Sequence, residues 1–368
     1  MIFLQIIALL LMPLLLMKLQ EKVSWLKAIV MAYVLGVAIG NVLPMAFNTD
    51  VLHQATGISI ILAIPLMLFP SKMKSWLSQP VGLLKAYGLA VLSTTITVVL
   101  AYFIFQDKIE NIALVSGMVE GVYTGGTVNL NAIGLAFNAS EGLSVLLNGF
   151  DMAFSAIYLL AIFTLLPSLL SKVLPASRKL DVELDSEVGF SKLSMRQKGM
   201  EIIQGLGFTL LALAVVIGLS YVLFGNENEL FIVFGVSLIG LAFSTIPRVS
   251  NLKGNMILAD YLMMIFAFSL GAQANVNEIF SDQSGLLFYF LFTYLVMLFL
   301  HLMLSKFFKV DVDAFLISST AAVFGPPFIG PVAESLKNRG WIGPGIIIAL
   351  IGNAIGTYLG ILMVQILG

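Results

Sequence analysis

Long apolar stretches separated by short polar ones run through almost the whole chain. A helix that crosses a bilayer needs roughly 20 mostly apolar residues. This pattern predicts an all-α polytopic membrane protein with ten transmembrane helices. The ten stretches are about 2–18, 25–46, 54–71, 84–105, 141–170, 200–224, 230–247, 255–272, 285–305 and 342–367.

Two further apolar segments, 112–137 and 314–337, are long enough to cross but are broken in the middle. The first segment breaks at Gly125–Gly126, within "VYTGGTVNLN". The second segment breaks at Gly325–Pro327 and again at Gly330–Pro331. Glycine and proline disrupt helices through backbone entropy and a missing N–H. At membrane depth, such backbone is tolerated only where protein or a cavity surrounds it.

The charges between the apolar stretches predict the topology, because Lys and Arg collect in cytoplasmic loops. If both broken segments crossed the membrane, the basic linker 171–198 would lie outside. If both are re-entrant hairpins, every basic loop lies inside and every acidic loop lies outside. The pattern therefore favours ten spanning helices and two re-entrant hairpins, with both termini outside and the three tryptophans near the inner interface. The basic loops contain Lys18, Lys22, Lys27, Lys72, Lys74, Lys85, the linker, Arg248, Lys253, Lys306, Lys309, Lys337 and Arg339, and the acidic loops contain Asp50, Asp107, Glu110, Glu141, Glu227, Glu229, Glu278 and Asp282.

The hairpins have opposite orientations in this topology, since an odd number of crossings separates them. The sequence 116–129 also echoes 317–330 at an offset of about 201 residues, and at this offset Asp151 falls near Asn353. Inverted repeats with interrupted helices are typical of secondary transporters. We predict a first repeat 1–170 (scaffold helices 1–83, core helix-hairpin-helix 84–170), the cytoplasmic linker 171–198, and a second repeat 199–368 (scaffold helices 199–284, core helix-hairpin-helix 285–368). The linker carries a short surface helix or is a disordered tether.

Composition narrows the chemistry. The chain is 59% hydrophobic and 11% charged, whereas a soluble domain carries about 25% charged residues. The net charge of −1 gives no basic field for nucleic acid, and the absence of cysteine excludes disulfides, thiolate metal sites and cysteine nucleophiles. We expect a multi-pass protein of the inner (plasma) membrane in contact with lipid, which acts as a homodimer, has no cofactor and is not an enzyme.

Two oppositely oriented hairpins with small residues at their tips resemble the bacterial sodium/glutamate and sodium/citrate symporters. Gly125–Gly126 matches the Gly-Gly tip of those families, whereas Pro326–Pro327 departs from it. The chain is more similar still to an uncharacterised bacterial and plant-chloroplast membrane family, a "domain of unknown function" group. That group carries a Tyr-x-Gly-Gly-[Ser/Thr]-x-Asn stretch like Tyr123–Asn129 and a late Gly-Pro-Pro like Gly325–Pro327. The resemblance implies a transporter fold with alternating access and leaves the substrate open.

The two breaks are the predicted substrate site. At a hairpin tip the second helix offers unpaired N–H groups and a partial positive charge, which suit a carboxylate. The first helix ends in free carbonyls, which suit Na⁺ or an ammonium group. The alternative is a tight turn that the neighbouring asparagines cap. The predicted substrate-binding residues are Glu120, Tyr123, Thr124, Gly125, Gly126, Thr127, Asn129, Asn131, Gly325, Pro326, Pro327 and Glu334.

The acids within apolar segments are the second group of candidates, because an unpaired Asp at the centre of a membrane helix costs roughly 2.5–3.5 kcal/mol. Asp151 is the best candidate for a coupling cation, with Asn148 three residues earlier on the same helix face and Asn353 in the other repeat. Na⁺ or a proton would suit this site. Glu120 and Glu334 are expected to face the cavity or each other, and the chain offers few basic partners at depth.

These features favour a secondary active transporter that moves a small organic anion or amino acid by an elevator-like mechanism, coupled to Na⁺ or H⁺. An ion channel would need a repeated selectivity filter, which does not occur. An intramembrane enzyme would need a convergent base, nucleophile or metal site, and the two histidines, His53 and His301, lie far apart in the sequence.

Overall fold

The structure is a computed structural model that describes residues 2–22, 28–43, 48–70, 80–177, 193–227, 229–273 and 285–368. These residues form helices and connecting turns, and no strand occurs among them, which confirms the predicted all-α class. The helices are α1 Ile2–Lys22, α2 Ala28–Val42, α3 Thr49–Leu68, α4 Pro80–Phe105, α5 Ile112–Gly125, α6 Thr127–Ala136, α7 Glu141–Thr164, α8 Leu166–Leu170, α9 Met195–Phe224, α10 Glu229–Ser244, α11 Pro247–Ser250, α12 Gly254–Gln273, α13 Leu286–Phe307, α14 Val312–Val323, α15 Ile329–Ser335 and α16 Ile342–Leu367, with 3-10 turns at Pro326–Phe328 and Arg339–Trp341.

Local sequence signals set several helix ends. Ser140 precedes α7 and accepts a hydrogen bond from the Leu143 N–H (3.2 Å), and Asp311 does the same for the Ala314 N–H before α14 (2.9 Å). Such caps satisfy N–H groups that have no partner within the helix. Gly225 ends α9 in the left-handed region, with φ 76°, which glycine adopts without a steric penalty.

Seven helices of the described chain are long and apolar enough to cross a membrane. They are Thr49–Leu68, Gly82–Phe105, Gly142–Thr164, Met195–Phe224, Gly254–Gln273, Leu286–Phe307 and Arg339–Leu367. Shorter apolar helices at Gln5–Gln20, Ala28–Val42 and Phe231–Ser244 coincide with the other three expected spans. The count of ten spans stays a prediction.

The chain divides into two compact units. Segment 333–343 belongs to unit 1, although the predicted second core block, 285–368, includes it. The boundaries of the two repeats stay a prediction. Unit 1 comprises Met1–Ser78, Lys179–Ala274 and Ala333–Gly343, and unit 2 comprises Gln79–Arg178, Asn275–Val332 and Pro344–Gly368.

In unit 1, α12 packs against α2 and α3. The backbones of α2 and α12 nearly touch, since a Cβ added to Gly36 would meet the Phe268 carbonyl and one added to Gly40 would meet Ala272. Small residues allow this kind of close approach between membrane helices. Later residues of α2 meet later residues of α12, so the two helices run parallel.

In unit 2, α4 and α13 run antiparallel. His301 Nε2 lies 3.2 Å from the Ala86 carbonyl oxygen, near the start of α4 and the end of α13. At the other end, the rings of Phe105 and Tyr289 stack edge to face with centroids 5.8 Å apart. Helix α4 packs against α5 and α14, and α13 packs against α14, so both contact segments that carry the helix breaks.

Some predictions fall on residues that the structure does not describe. These are Trp25, Trp76, linker positions 178–192 and several loop charges. Trp341 is described and is buried within unit 1, with 4% of its surface exposed.

Candidate functional site

The first break lies between α5 and α6. Gly126 has φ 96° and ψ 174°, a backbone conformation that glycine adopts far more readily than other residues. The two helices fold back on each other, because a Cβ on Gly121 would lie 3.3 Å from the Asn129 Cβ, and one on Gly134 would lie 3.0 Å from the Met118 Cε. Together α5 and α6 form a helical hairpin with Gly126 at its tip.

The second break lies between α14 and α15. Gly325 has φ 76°, and Pro326–Phe328 form a 3-10 turn before α15 begins. Proline fits the start of a helix because its missing N–H would have no partner there. The second tip therefore has one glycine and a proline-initiated helix, whereas the first has a pair of glycines.

The two tips meet inside unit 2. A Cβ placed on Gly126 would lie 3.4 Å from the Phe324 carbonyl oxygen, and one placed on Gly325 would lie 3.3 Å from the Gly125 carbonyl oxygen. Asn353 Oδ1 is also close, at 3.5 Å from the Gly325 Cβ position. Two irregular backbone segments, more than 190 residues apart in sequence, thus face each other.

The helices next to the two tips meet α7 and α8 at opposite ends, since α6 ends just before α7 and α14 begins beyond α8. At the first end, Ala139 N donates to the Gly134 carbonyl (2.8 Å) just before α7 starts. At the other end, beyond α8, Val312 N donates to the Pro175 carbonyl (3.2 Å) where α14 starts. Between them, the Tyr158 and Ser319 hydroxyls lie 2.8 Å apart. The two broken segments therefore approach each other from opposite directions.

A row of glycines holds the first hairpin against α16. A Cβ on Gly360 would lie 2.5 Å from the Gly117 carbonyl oxygen, and one on Gly356 would lie 3.1 Å from the Gly121 carbonyl oxygen. Gly125 continues the row and would meet Gly352. Larger side chains at these positions would separate the helices and displace the tip.

Asp151 of α7 lies at the first tip and is 4% exposed. Its Oδ2 accepts a hydrogen bond from Thr127 Oγ1 (2.8 Å), and its Oδ1 accepts one from Ser155 Oγ (3.2 Å). No ion pair joins this carboxylate to another described residue. A buried carboxylate among hydroxyl oxygens suits Na⁺ or a proton, and no described trio of Asp, Glu or His offers a richer metal site.

The asparagines near the first tip have separate partners. Asn148 Nδ2 donates to Asn131 Oδ1 (2.7 Å), so this predicted ion ligand binds a neighbouring amide. Asn129 Oδ1 accepts from Thr357 Oγ1 (2.8 Å). No side chain caps α6, because the Thr127 hydroxyl is turned to Asp151. The asparagine cap that the tight-turn alternative assumes is absent, and the first N–H groups of α6 have no described side-chain partner.

The last carbonyls of α5 accept hydrogen bonds from α4. Tyr87 Oη donates to the Thr124 carbonyl (2.5 Å) and Thr94 Oγ1 donates to the Tyr123 carbonyl (3.2 Å). Thr95 Oγ1 donates to Glu120 Oε1 (2.7 Å). These α4 residues are not among the predicted site residues, although their spacing of i, i+7 and i+8 places three hydroxyls on one helix face.

Glu334 has a partner that the sequence analysis did not anticipate. It lies in unit 1, where Arg339 forms ion pairs with both Glu334 and Asp260 (2.7 Å to Asp260). The expectation that acids at depth have few basic partners is wrong for this pair. Arg339 follows Glu334 by only five residues, and this short spacing could have indicated the ion pair from the sequence.

Comparisons with known proteins identify the family of this chain. The profile of a family described as "Protein of unknown function (DUF819)" matches residues 5–368. The chain belongs to the DUF819 family. It is also similar to the uncharacterized membrane protein YjcL of Bacillus subtilis (strain 168), with 23% identity over 363 residues that cover 94% of this chain and 91% of the relative.

Membership in the DUF819 family confirms the resemblance to a membrane family of unknown function. Together with the seven long apolar helices, it identifies the chain as a multi-pass membrane protein.

Proposed function

We propose that this DUF819 protein is a secondary active transporter that moves a small organic anion or amino acid by alternating access. The observation that supports this most is the meeting of Gly126 and Gly325, two helix breaks that approach from opposite directions. Interrupted helices that meet between inverted repeats form the binding sites of many secondary transporters.

The chemistry at the tips favours an anionic substrate and a coupling cation. The free N–H groups at the start of α6 carry a partial positive charge that attracts a carboxylate. Asp151 and Asn353 place side-chain oxygens at the first and second tip respectively. We propose that Asp151 binds the coupling cation, Na⁺ or H⁺, while the backbone of the tips binds the substrate.

The proposed membrane topology has ten spanning helices, two oppositely oriented re-entrant hairpins and both termini outside. It requires α2 and α12 to run in the same direction and α4 and α13 to run in opposite directions. The contacts of Gly36 with Phe268 and of His301 with Ala86 agree with both requirements. We place the protein in the inner (plasma) membrane.

An elevator-like mechanism is the version of alternating access that we favour. Both tips, Asp151 and Asn353 belong to unit 2, so one compact body carries the whole candidate site. A site carried on one body keeps its geometry while access to it changes. We propose that the transporter works as a homodimer and without a bound cofactor.

Counterflow in proteoliposomes tests this proposal. The purified protein is reconstituted, the vesicles are loaded in turn with unlabelled glutamate, citrate, malate or alanine, and uptake of the same labelled compound is measured with and without Na⁺. We expect transient accumulation of one compound above equilibrium, because a carrier exchanges its substrate. Electrical conductance without counterflow of any organic ion would identify a channel instead.

A further inference from the structure

Glu120 is a fully buried carboxylic acid on α5, one helical turn before the break. Thr95 Oγ1 donates a 2.7 Å hydrogen bond to its Oε1. Its other oxygen, Oε2, has no hydrogen-bond partner among the described residues. A buried carboxylate oxygen without a well-formed hydrogen bond or a cation is unfavourable, so an ionised Glu120 is poorly stabilised at this position.

Thr124 provides the second observation. It follows Glu120 by four residues, so the two side chains share one face of α5. The Thr124 hydroxyl is fully buried and lies close enough to the Glu120 carboxylate to interact with it. Neither Glu120 Oε2 nor Thr124 Oγ1 makes a well-formed hydrogen bond to a described residue, although the two groups are neighbours.

Among the described residues, the surroundings of Glu120 offer hydroxyls and no positive charge. Tyr87 of α4 and Tyr289 of α13 are the titratable side chains that face Glu120, and α6 contains no titratable residue. On the other helices packed against α5, Asp313 lies in the first turn of α14, and Tyr358 of α16 is exposed. Lys85 of α4 lies at the far end, where it bonds the Phe308 carbonyl.

We propose that Glu120 and Thr124 form a proton-binding site that is separate from the Asp151 site. The bound proton converts the carboxylate to a neutral acid, whose Oε2–H donates to Thr124 Oγ1 while Oε1 accepts from Thr95. The proton thus removes a buried negative charge that no described residue balances. A metal cation would need more oxygen ligands than Glu120 and Thr124 provide.

Protonation of Glu120 can change the hydrogen bonding of Thr124, which adjoins the hairpin tip. The link to transport rests on the proposed transport function. A hydroxyl is both donor and acceptor. Beside an ionised Glu120, Thr124 donates its proton to Oε2. Beside a neutral Glu120, Thr124 accepts, and its own hydrogen is released towards the break that it adjoins. Tyr87 fixes the Thr124 backbone meanwhile, through its bond to the carbonyl.

Infrared difference spectroscopy of the full-length protein in lipid vesicles tests the proton directly. We expect a carboxylic-acid C=O band that shifts on deuteration and disappears in Glu120→Gln. The matched control is Glu110→Gln, since Glu110 is exposed on the loop before α5 and should leave the band intact. Thr95→Val should move the band to higher frequency, because Oε1 loses its hydrogen bond while the acid remains.

Three outcomes would overturn the proposal. The first is a pH titration, run above and below neutrality, in which Glu120→Gln keeps every carboxylic-acid band of the wild type. The second is a carboxylic-acid band whose frequency does not change in Thr95→Val. This result would reject the proposal even if Glu120→Gln fails to fold. The third is loss of Na⁺-dependent thermal stabilisation in Glu120→Gln with no acid band, which would indicate a sodium site.

Transport measurements separate this proposal from the proposed function. Under the proposal, uptake by Glu120→Gln no longer responds to a pH gradient, whereas uptake by Glu110→Gln responds as the wild type does. Counterflow without the acid band would support the proposed transport function and reject the proton site at Glu120. The acid band without counterflow of any compound would keep the proton site and reject the transporter.

Discussion

Thr127 and Asp151 are joined by a 2.8 Å hydrogen bond in which the threonine hydroxyl donates to the carboxylate. Thr127 is the first residue of α6, and Asp151 lies in the middle of α7. The bond links the tip of the first hairpin to the best candidate for a cation ligand. A cation that binds Asp151 must therefore affect the start of α6.

Replacement of Asp151 by asparagine should remove cation coupling while the fold survives. The amide keeps the size of the carboxylate and can still accept from Thr127, but it has no charge. We expect Na⁺- or H⁺-dependent thermal stabilisation to weaken at least about tenfold in apparent affinity, and the cation-free protein to unfold at a higher temperature, because an unpaired buried acid is costly. Asp107→Asn, on an exposed loop, is the control. Unchanged cation dependence in Asp151→Asn would show that the acid is structural.

Gly126→Ala tests the first tip. Gly126 has φ 96°, so alanine should cost about 1–3 kcal/mol of stability through backbone strain, while its Cβ would make only an ordinary contact with Phe324. We expect a lower unfolding temperature together with weaker binding of whichever compound shows counterflow, measured by calorimetry. Gly88→Ala is the control, because Gly88 lies within helix α4 with open space around it and should gain up to about 1 kcal/mol. Native affinity in a folded Gly126→Ala sample would indicate that the tip is only a turn.

Arg339→Gln tests the ion pairs of unit 1. The arginine is shared by Asp260 and Glu334, and its side chain is 14% exposed. We expect a loss of about 1–3 kcal/mol, less than for a fully buried pair because solvent screens the exposed fraction. The added change Asp260→Asn should recover part of this loss, and Arg248→Gln, at an exposed position, should cost less than about 0.5 kcal/mol. Equal unfolding temperatures for Arg339→Gln and the wild type would show that these pairs add no stability.

Single cysteines test the membrane topology, since the chain has no cysteine of its own. Gly142→Cys and Asn226→Cys lie at exposed positions and should react with an impermeant thiol reagent from outside. Ser186→Cys, in the predicted cytoplasmic linker, should react only after the membrane is permeabilised. Labelling of Ser186→Cys in intact cells would mean that the first broken segment crosses the membrane, and the inverted repeat would fail with it.

Features that depend on local sequence were predictable. The last apolar stretch, 342–367, coincides with α16, and the break at Gly125–Gly126 lies where α5 ends. Apolar length and glycine conformation act over a few residues, so the chain itself reveals them. The side-chain partners were not predictable in this way. Glu120 bonds Thr95, a partner that the sequence does not reveal, because helix rotation is set by packing against α4.

The sequence by itself determined that the chain is helical, that it is a membrane protein and where two of its helices break, because these properties follow from apolar length and from glycine and proline. Only the tertiary structure decided that the two breaks meet at Gly126 and Phe324 and that Arg339 pairs with an acid 79 residues away. Contacts between distant segments depend on which helices lie side by side. In unit 2 the row Gly117, Gly121 and Gly125 against α16 decides that, since only glycine lets these backbones approach closely enough to bring the tip into place.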